Sequence, residues 1–370
     1  MCVKIPRLFI LYYGLAALWF TTTAMHIPDG YLSPVTSLIL FLAVLPFWMR
    51  AVQRLREKVS ARNIPVVALV AAFSFVIMLF NVPLPGGTSG HAVGGALAAI
   101  ILGPEIAVLA LSTAIVIQAL LFGDGGILAI GANCFNMAVV LPYISYAVYQ
   151  ALSRGQALHA RRRVFAAALA GWSGLTAAAF FAAVEFGIQP LLWHTPGGVP
   201  LYAPYPLSVA IPAMVIPHAL VASVVEGLVT ALVVAYLQRA KHPVLAVVSH
   251  PALAAGSGGF ARLRALWVAL PVLAVAAPIG LLAPGTAWGE WNSNELSGMG
   301  LGFVPAGMQQ LSNLWSAPMG GYNLPVLQNA NLAYILSAAV GILVTVVVAW
   351  LFSSLAVRGH PAAPETGSGE

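Results

Sequence analysis

A methionine followed at once by a histidine, Met25-His26, stands at the edge of a stretch that looks built to be cut, in "TTTAMHIPDGYLSP" (21–34). If residue 25 begins the working chain, three kinds of nitrogen meet there. They are the Met25 amine, the His26 backbone nitrogen once deprotonated, and a His26 imidazole nitrogen, and together they form fused chelate rings in one plane. Square-planar nitrogen sites suit nickel(II) and copper(II), whereas magnesium, calcium and zinc prefer other geometries. A dipeptide fills only three corners, so a fourth ligand has to come from elsewhere. His91, in "VPLPGGTSGHAVGG" (82–95), is the candidate. Gly86, Gly87 and Gly90 permit close backbone approach, Thr88 and Ser89 can orient ligands, and Gly94 and Gly95 let another segment pack tightly. A lone histidine at a membrane interface is more often a half-solvated, hydrogen-bonded side chain. The pairing with a removable N-terminal extension is what favours a ligand.

The residues after His26 suggest how such a terminus is held. In "IPDGYLSP" (27–34), Pro28 fixes one φ angle, Asp29-Gly30 makes a turn, and Asp29 or Ser33 can cap a helix starting near Pro34. Other polar groups lie inside apolar runs, where ionisable side chains are functional candidates by default. Glu105 and Asp124 adjoin Gly/Pro turns and read as interfacial caps; Gln118 and Glu185 complete the set of isolated polar groups. Asn133 and Asn136, three apart, read as glue between helices. His218 and Glu226, eight apart, could share a face and touch a permeation route. His194, beside Trp193, is at most a weak collector of metal, and Cys134 reads as a small buried hydrophobe.

The elements that must position these residues are membrane helices. The chain has 370 residues, 60% hydrophobic and 7% charged, with a mean hydropathy of +0.92, against about 25% charged in a soluble domain. The fold expected is therefore all-α and polytopic, with little soluble mass. Residues 1–24 have Lys4 and Arg7, then the apolar "LFILYYGLAALWF", then small residues ending at Ala24, which describes a secretory signal peptide; the plainer reading is an uncleaved first helix, and cleavage or an internal start at Met25 would each expose the Met25 amine. Helices are expected near 35–49, 65–82, 91–103, 105–122, 127–150, 164–187 and 210–238, with two more near 264–282 and 329–352. The 91–103 stretch is short and Gly-rich, hence a half-helix or a tightly packed one. If residue 25 lies outside and the spans alternate, the loops with Arg50 to Arg62, Arg154 to Arg163 and Arg239 to Arg264 all fall inside, as does Arg358. The outside segments 188–209 and 285–327 then carry no Lys or Arg, as the positive-inside rule asks. This divides the chain into a seven-helix metal-binding module (25–240), a linker (241–262), a two-helix module with an extracytoplasmic loop (263–355) and a disordered tail (356–370).

Several function classes find no support. There is no G-x-x-x-x-G-K-[ST] loop to cradle ATP and no H-E-x-x-H metalloprotease motif. No Cys/His cluster has structural-zinc spacing, no acid–base pair or nucleophile suggests an enzyme, and the basic charges sit where topology explains them rather than in a nucleic-acid patch.

"MHIPDGYLSP" and "GGTSGHAVGG" resemble the signatures of the CbiM/NikM family, the substrate-binding membrane subunits of energy-coupling-factor (ECF) transporters for nickel and cobalt. The likeness runs from Met25 to about residue 240 and touches "FGDGGILAIGANCFNMA" (122–138) and "VEGLVTA" (225–231). It implies one metal ion held by the Met25 amine, both His26 nitrogens and a His91 imidazole, with no covalent cofactor. It also implies partner proteins: a transmembrane coupling subunit and ATPases, in a plasma membrane. The second module resembles the small two-helix subunit that such systems carry separately or fused, of CbiN/NikN or PDGLE type; "APGTAWGEW" (283–291) is similar to a segment of fused versions, although the P-D-G-L-E string is missing. A start of Met-His-Ile-Pro-Asp-Gly is more similar to the nickel branch than to the cobalt branch, which agrees with the planar nitrogen donors. The readings to weigh are a capture subunit for nickel, the same device for cobalt in cobalamin biosynthesis, a self-sufficient secondary transporter relying on Glu185 and Glu226, and a membrane metal sensor.

Overall fold

The computed structural model describes residues 26–84, 88–241, 243–246, 259–283, 289–291, 295–296 and 301–358. The expected signal peptide and Met25 lie outside these residues, as do 247–258 of the expected linker and 359–370 of the expected tail.

Ser33, and not Asp29, starts the first helix, α1 (Pro34–Lys58). Its hydroxyl accepts the Thr36 N–H at 3.0 Å, Pro34 takes a position that needs no donor, and Arg56 and Lys58 sit in the last turn. The outward face of α1 shows Val35, Leu38, Ile39 and Leu42, as suits contact with lipid. After a 3-10 turn (Ala61–Asn63), α2 (Ile64–Ile77) is apolar all round and buried at nearly every position, so it is the central helix. The all-helical expectation omits the next element, a hairpin of β1 (Val82–Leu84) and β2 (Thr88–Gly90) with Val82 opposite Gly90. Three residues per strand leave no alternation to read. Then come α3 (Gly95–Leu102) and α4 (Pro104–Ile117), which extends through a π segment (Gln118–Phe122). The short α5 (Ile130–Asn133) passes through a second π segment (Cys134–Val140) into α6 (Leu141–Ser153). Beyond α7 (Arg161–Gly187) and the one-turn α8 (Gln189–Leu192), α9 (Leu207–Pro217) joins α10 (Ser223–Arg239) through a third π segment (His218–Ala222). π segments are rare and gather at functional positions; these three carry Gln118, Asn136 and His218.

The second module comprises α11 (Gly259–Ala276) with its 3-10 extension (Ala277–Leu282), α12 (Ala306–Leu311) and α13 (Ala330–Arg358). Helix α11 begins inside the stretch expected as linker, and α13 runs to Arg358, into the stretch expected as tail. Both pack on α2, so this module is part of the bundle and not an appendage. The Tyr334 hydroxyl donates to Leu79 O at 3.1 Å, and the Arg56 Nε donates to Ala356 O at 3.1 Å.

Among the described residues, six stretches are long and apolar enough to cross a membrane: Pro34–Lys58, Pro104–Phe122, Arg161–Leu192, Leu207–Arg239, Leu263–Leu282 and Ala330–Val357. The chain is an all-α polytopic membrane protein apart from its hairpin. Of the seven spans expected in the first module, four are in that set. The shorter α2 is apolar but has 14 residues, α3 has only eight, and the run from α5 to α6 is made less apolar by Asn133, Asn136 and its tyrosines. Close helix packing rests on small residues. Where α7 meets α10, a Cβ on Gly171 would lie 2.8 Å from the Gly227 Cα, and one on Gly227 would lie 2.5 Å from Ala168 O.

The connecting segments sort to two ends. At one, Ala203 N donates to Tyr31 O (2.9 Å) and Gly307 N to Leu201 O (2.8 Å), joining 26–33, 201–206 and 301–311. At the other lie the basic loops. Gln238 Nε2 donates to Leu158 O (2.7 Å), Arg163 Nε to Gln156 O (3.1 Å), and Arg54 approaches Glu105 at 3.5 Å.

Candidate metal centre

The segment 26–33 has no regular structure, so its backbone groups need outside partners. Asn133 supplies two at once. Its Oδ1 accepts the Ile27 N–H at 2.8 Å and its Nδ2 donates to Ile27 O at 3.1 Å, so it glues the N-terminal segment to α5 rather than one helix to another. Ile27 O also accepts from Gly126 N at 2.9 Å. Asp29 turns to the same loop: its two oxygens accept from Leu128 N (2.9 Å) and Ile127 N (3.1 Å). It ties down the 123–129 loop instead of capping α1. Burial raises the Asp29 carboxyl above the ordinary range, against the pull of the Leu128, Ile127 and Ala129 amides. Gly126 is what lets the loop come this near, because a Cβ there would sit 2.3 Å from the Asp29 nitrogen. At the far end of the segment, Ser33 N donates to Gln189 Oε1 at 3.0 Å, and Gln189 Nε2 donates to Glu185 O at 2.9 Å.

These ties bring His26 beneath the loop, 1% exposed, with Nδ1 at 3.1 Å from Asp124 Oδ1. Asp124 is buried too and is no interfacial cap. Burial by itself would raise its carboxyl; the His26 ring, the Tyr322 hydroxyl and His91 outweigh that and hold it below the ordinary carboxylate range.

His91 arrives by a different route. It follows β2 and precedes α3, is 1% exposed, and its ring centroid lies 5.4 Å from that of His26, at 41°. Its Nδ1 donates to Ala92 O at 3.0 Å. With the proton on Nδ1, Nε2 carries the lone pair, the form in which imidazole binds metals. Glu226 secures the turn into α3. Its Oε2 accepts from Val93 N and Gly94 N, each at 2.8 Å, and its Oε1 from Ala96 N at 3.1 Å. A carboxylate on the first N–H groups of a helix meets both the orphan donors and the positive end of the dipole.

The structure therefore brings together His26, His91, Asp29, Asn133 and Glu226, while other expected residues stand apart. His218 does not meet Glu226; its Nδ1 donates back to Met214 O at 2.7 Å within its own helical run. Asn136 lies one turn from Asn133, with Nδ2 donating to Glu185 Oε2 at 2.8 Å, an inter-helix tie. Ser89 is buried in β2, and Thr88 pairs with Leu84 across the hairpin. His194 is exposed, and Cys134 is buried and unpaired. Sequence reasoning undervalued Asp124 and did not single out Gln189 or Tyr322. The signal for Asp124 was its rarity, one of ten acidic residues in 370.

Among the described residues, no three His, Cys, Asp or Glu side chains converge as a metal cluster.

A multi-pass bundle that buries two neighbouring imidazoles under a loop-built roof defines a polytopic membrane protein with an enclosed histidine pair. The chain belongs to the CbiM family: the model described as the cobalt uptake substrate-specific transmembrane region matches residues 26–244, and the PDGLE domain matches 262–358, although the string P-D-G-L-E is absent there. The fused nickel transport protein NikMN of Rhodobacter capsulatus is 49% identical over 348 residues, covering 90% of this chain and 98% of the relative. The protein of Lactiplantibacillus plantarum named "Probable fused nickel transport protein LarMN" is 40% identical over 341 residues, covering 90% and 97%. A crystal structure of a transition metal transporter superposes with a TM-score of 0.56 at 47% identity, over 61% of this chain and 99% of that one.

Proposed function

We propose that this chain is the substrate-capture subunit of an ATP-driven importer of ECF type, with nickel as its cargo. The ion is held by the Met25 amine, the backbone nitrogen and imidazole of His26, and His91 Nε2. The observation that carries the reading is the burial of the His26 and His91 rings, 5.4 Å apart, with His26 the next residue in sequence after Met25. Removal of residues 1–24 as a signal peptide makes the Met25 amine available, and the absence of a Walker motif from the sequence assigns ATP turnover to partners. Gathering the basic loops at the end opposite the site supports a mature N-terminus on the extracytoplasmic side of the plasma membrane.

Nickel is favoured over cobalt on two grounds: two highly similar relatives are named for nickel, and a planar set of four nitrogens with a deprotonated amide suits nickel(II). Capture replaces the ion's water by fixed nitrogens in a site closed by 26–33 and 123–129. Asn133 and Asp29 keep that roof in place, and Glu226 fixes the His91 turn. Protonation of the amide and amine ejects the ion once the coupling partners reorient the subunit.

The test is uptake of radioactive nickel in cells without other nickel importers, with the chain co-expressed with coupling and ATPase subunits. Accumulation that vanishes when the ATPase lysine is changed supports the reading. Equal uptake by the chain alone would establish a secondary transporter instead, and binding with no uptake a sensor. The family description favours cobalt as the second reading; competition between the two ions in the same assay separates them.

A further inference from the structure

The C-terminal module reaches the metal centre. The π segment after α4 ends at Phe122, and a helix end leaves carbonyls without intrahelical donors. Two are met from the loop before α13: Trp315 Nε1 donates to Leu120 O and Met319 N to Leu121 O, both at 2.9 Å. Three residues on, Tyr322 is buried with φ of 57°, a left-handed conformation uncommon outside glycine. Its surroundings over-determine it, as such conformations require. The ring stacks on Phe122 with centroids 4.7 Å apart at 18°, its carbonyl accepts the Ser337 hydroxyl at 2.9 Å, and Gln118 Nε2 donates to its phenol oxygen at 3.2 Å. The phenol itself donates to Asp124 Oδ2 at 2.5 Å, while Asp124 Oδ1 faces His26.

We propose that Tyr322 is a positioning residue of the metal centre, fixing the Asp124 carboxylate against His26 so that the C-terminal module completes a site whose ligands all lie in the N-terminal module. The inference rests on the ligand set proposed above. A chelate through the His26 backbone nitrogen closes on Nδ1, because Nε2 lies too far from its own main chain. On loading, the proton that Nδ1 shares with Asp124 moves to Nε2, so that the imidazole stays neutral and Nδ1 offers its lone pair to the ion; the His26 amide proton leaves to solvent, and the carboxylate remains beside the ion. A divalent ion held by an amine, two neutral imidazoles and one deprotonated amide retains one positive charge. A buried carboxylate offsets that charge only if it is kept in place, and a partner of this kind is typically worth about 10–100-fold in metal affinity.

The test is a double-mutant cycle on purified full-length mature protein, read as nickel affinity by competition with a chelating dye. Tyr322→Phe keeps the stacked ring and removes one hydroxyl, and Asp124→Asn removes the charge. We expect each single variant to bind nickel about 10-fold or more weakly, and the double variant to bind no worse than Asp124→Asn alone. Unchanged or tighter binding by Tyr322→Phe overturns the proposal, as does the same loss in both backgrounds, which would mark a packing role. If Asp124→Asn yields no folded protein, the nickel d–d absorption of Tyr322→Phe takes its place: a displaced band supports the proposal, and an unaltered band with unaltered affinity overturns it. His91→Ala is run alongside. Retention of nickel by that variant would sink the ligand set itself, an outcome distinct from failure of the Tyr322 inference.

Discussion

His26 lies on an irregular segment whose main chain is held by side chains from elsewhere, by Asn133 at Ile27, by its own Asp29 on 127–128, and by Gln189 at Ser33. His91 lies between a strand and a helix, and Glu226, which secures its turn, acts on a regular helix N-terminus. The first arrangement has no hydrogen-bond ladder of its own, so these side-chain ties act beside the buried Ile27, Tyr31 and Leu32 in holding it to the bundle. The second is continuous with α3 and the core. One imidazole thus depends on a few long-range side-chain ties and the other on a regular element.

That contrast can be broken in steps. Changing His91 to Ala removes a ligand of the proposed set and leaves the His26 roof tied, so nickel affinity should fall by more than about 100-fold, beyond the usual effect of an outer partner, with little change in melting temperature. Calorimetry of binding and unfolding on one sample reads both. Asn133→Ala cuts both bonds to Ile27, roughly 1–3 kcal/mol. On the reading that those ties set the strength of the roof, this appears as about 10–100-fold weaker affinity and faster amide exchange at Ile27, with the global transition unmoved. A matching drop in melting temperature would show that the roof is no weaker than the bundle. For Glu226→Gln the order reverses: loss of charge on three N–H groups costs about 1.5–3 kcal/mol, expressed in thermal unfolding first and in affinity by less than about tenfold. The smallest effect is expected for Asp29→Asn, where one amide loses its acceptor at a cost of about 1 kcal/mol. Affinity should weaken about fivefold, and a larger change would place Asp29 closer to the ion than its contacts with 127–128 indicate.

The same contrast explains what could be read from sequence. Hydropathy and length placed nearly every helix, and the Ser33-Pro34 pair marked the start of α1, because these signals are local. His26 and His91, which the fold brings side by side, were singled out from residue type and from resemblance. The partners were not. Asp124 sits in "FGDGG", a string with every mark of a turn, and only the fold of the 123–129 loop over residue 26 turns that acid inward. Tyr322 lies 198 residues from the carboxylate it meets; no periodicity links the two. Likewise Glu226 and His218 share a helical run on paper, but the π segment between them and the N-terminus of α3 send them to different neighbours.

The central claim is that the terminal amine at residue 25 joins His26 and His91 around one ion. The most direct test is the intact mass of the purified protein together with its metal content. A chain beginning at Met25 with about one nickel per molecule, lost on acetylation of the terminal amine before loading, is the predicted result. A chain that still begins at Met1 and holds a full equivalent of metal would contradict it, since residue 25 would then have no amine to give.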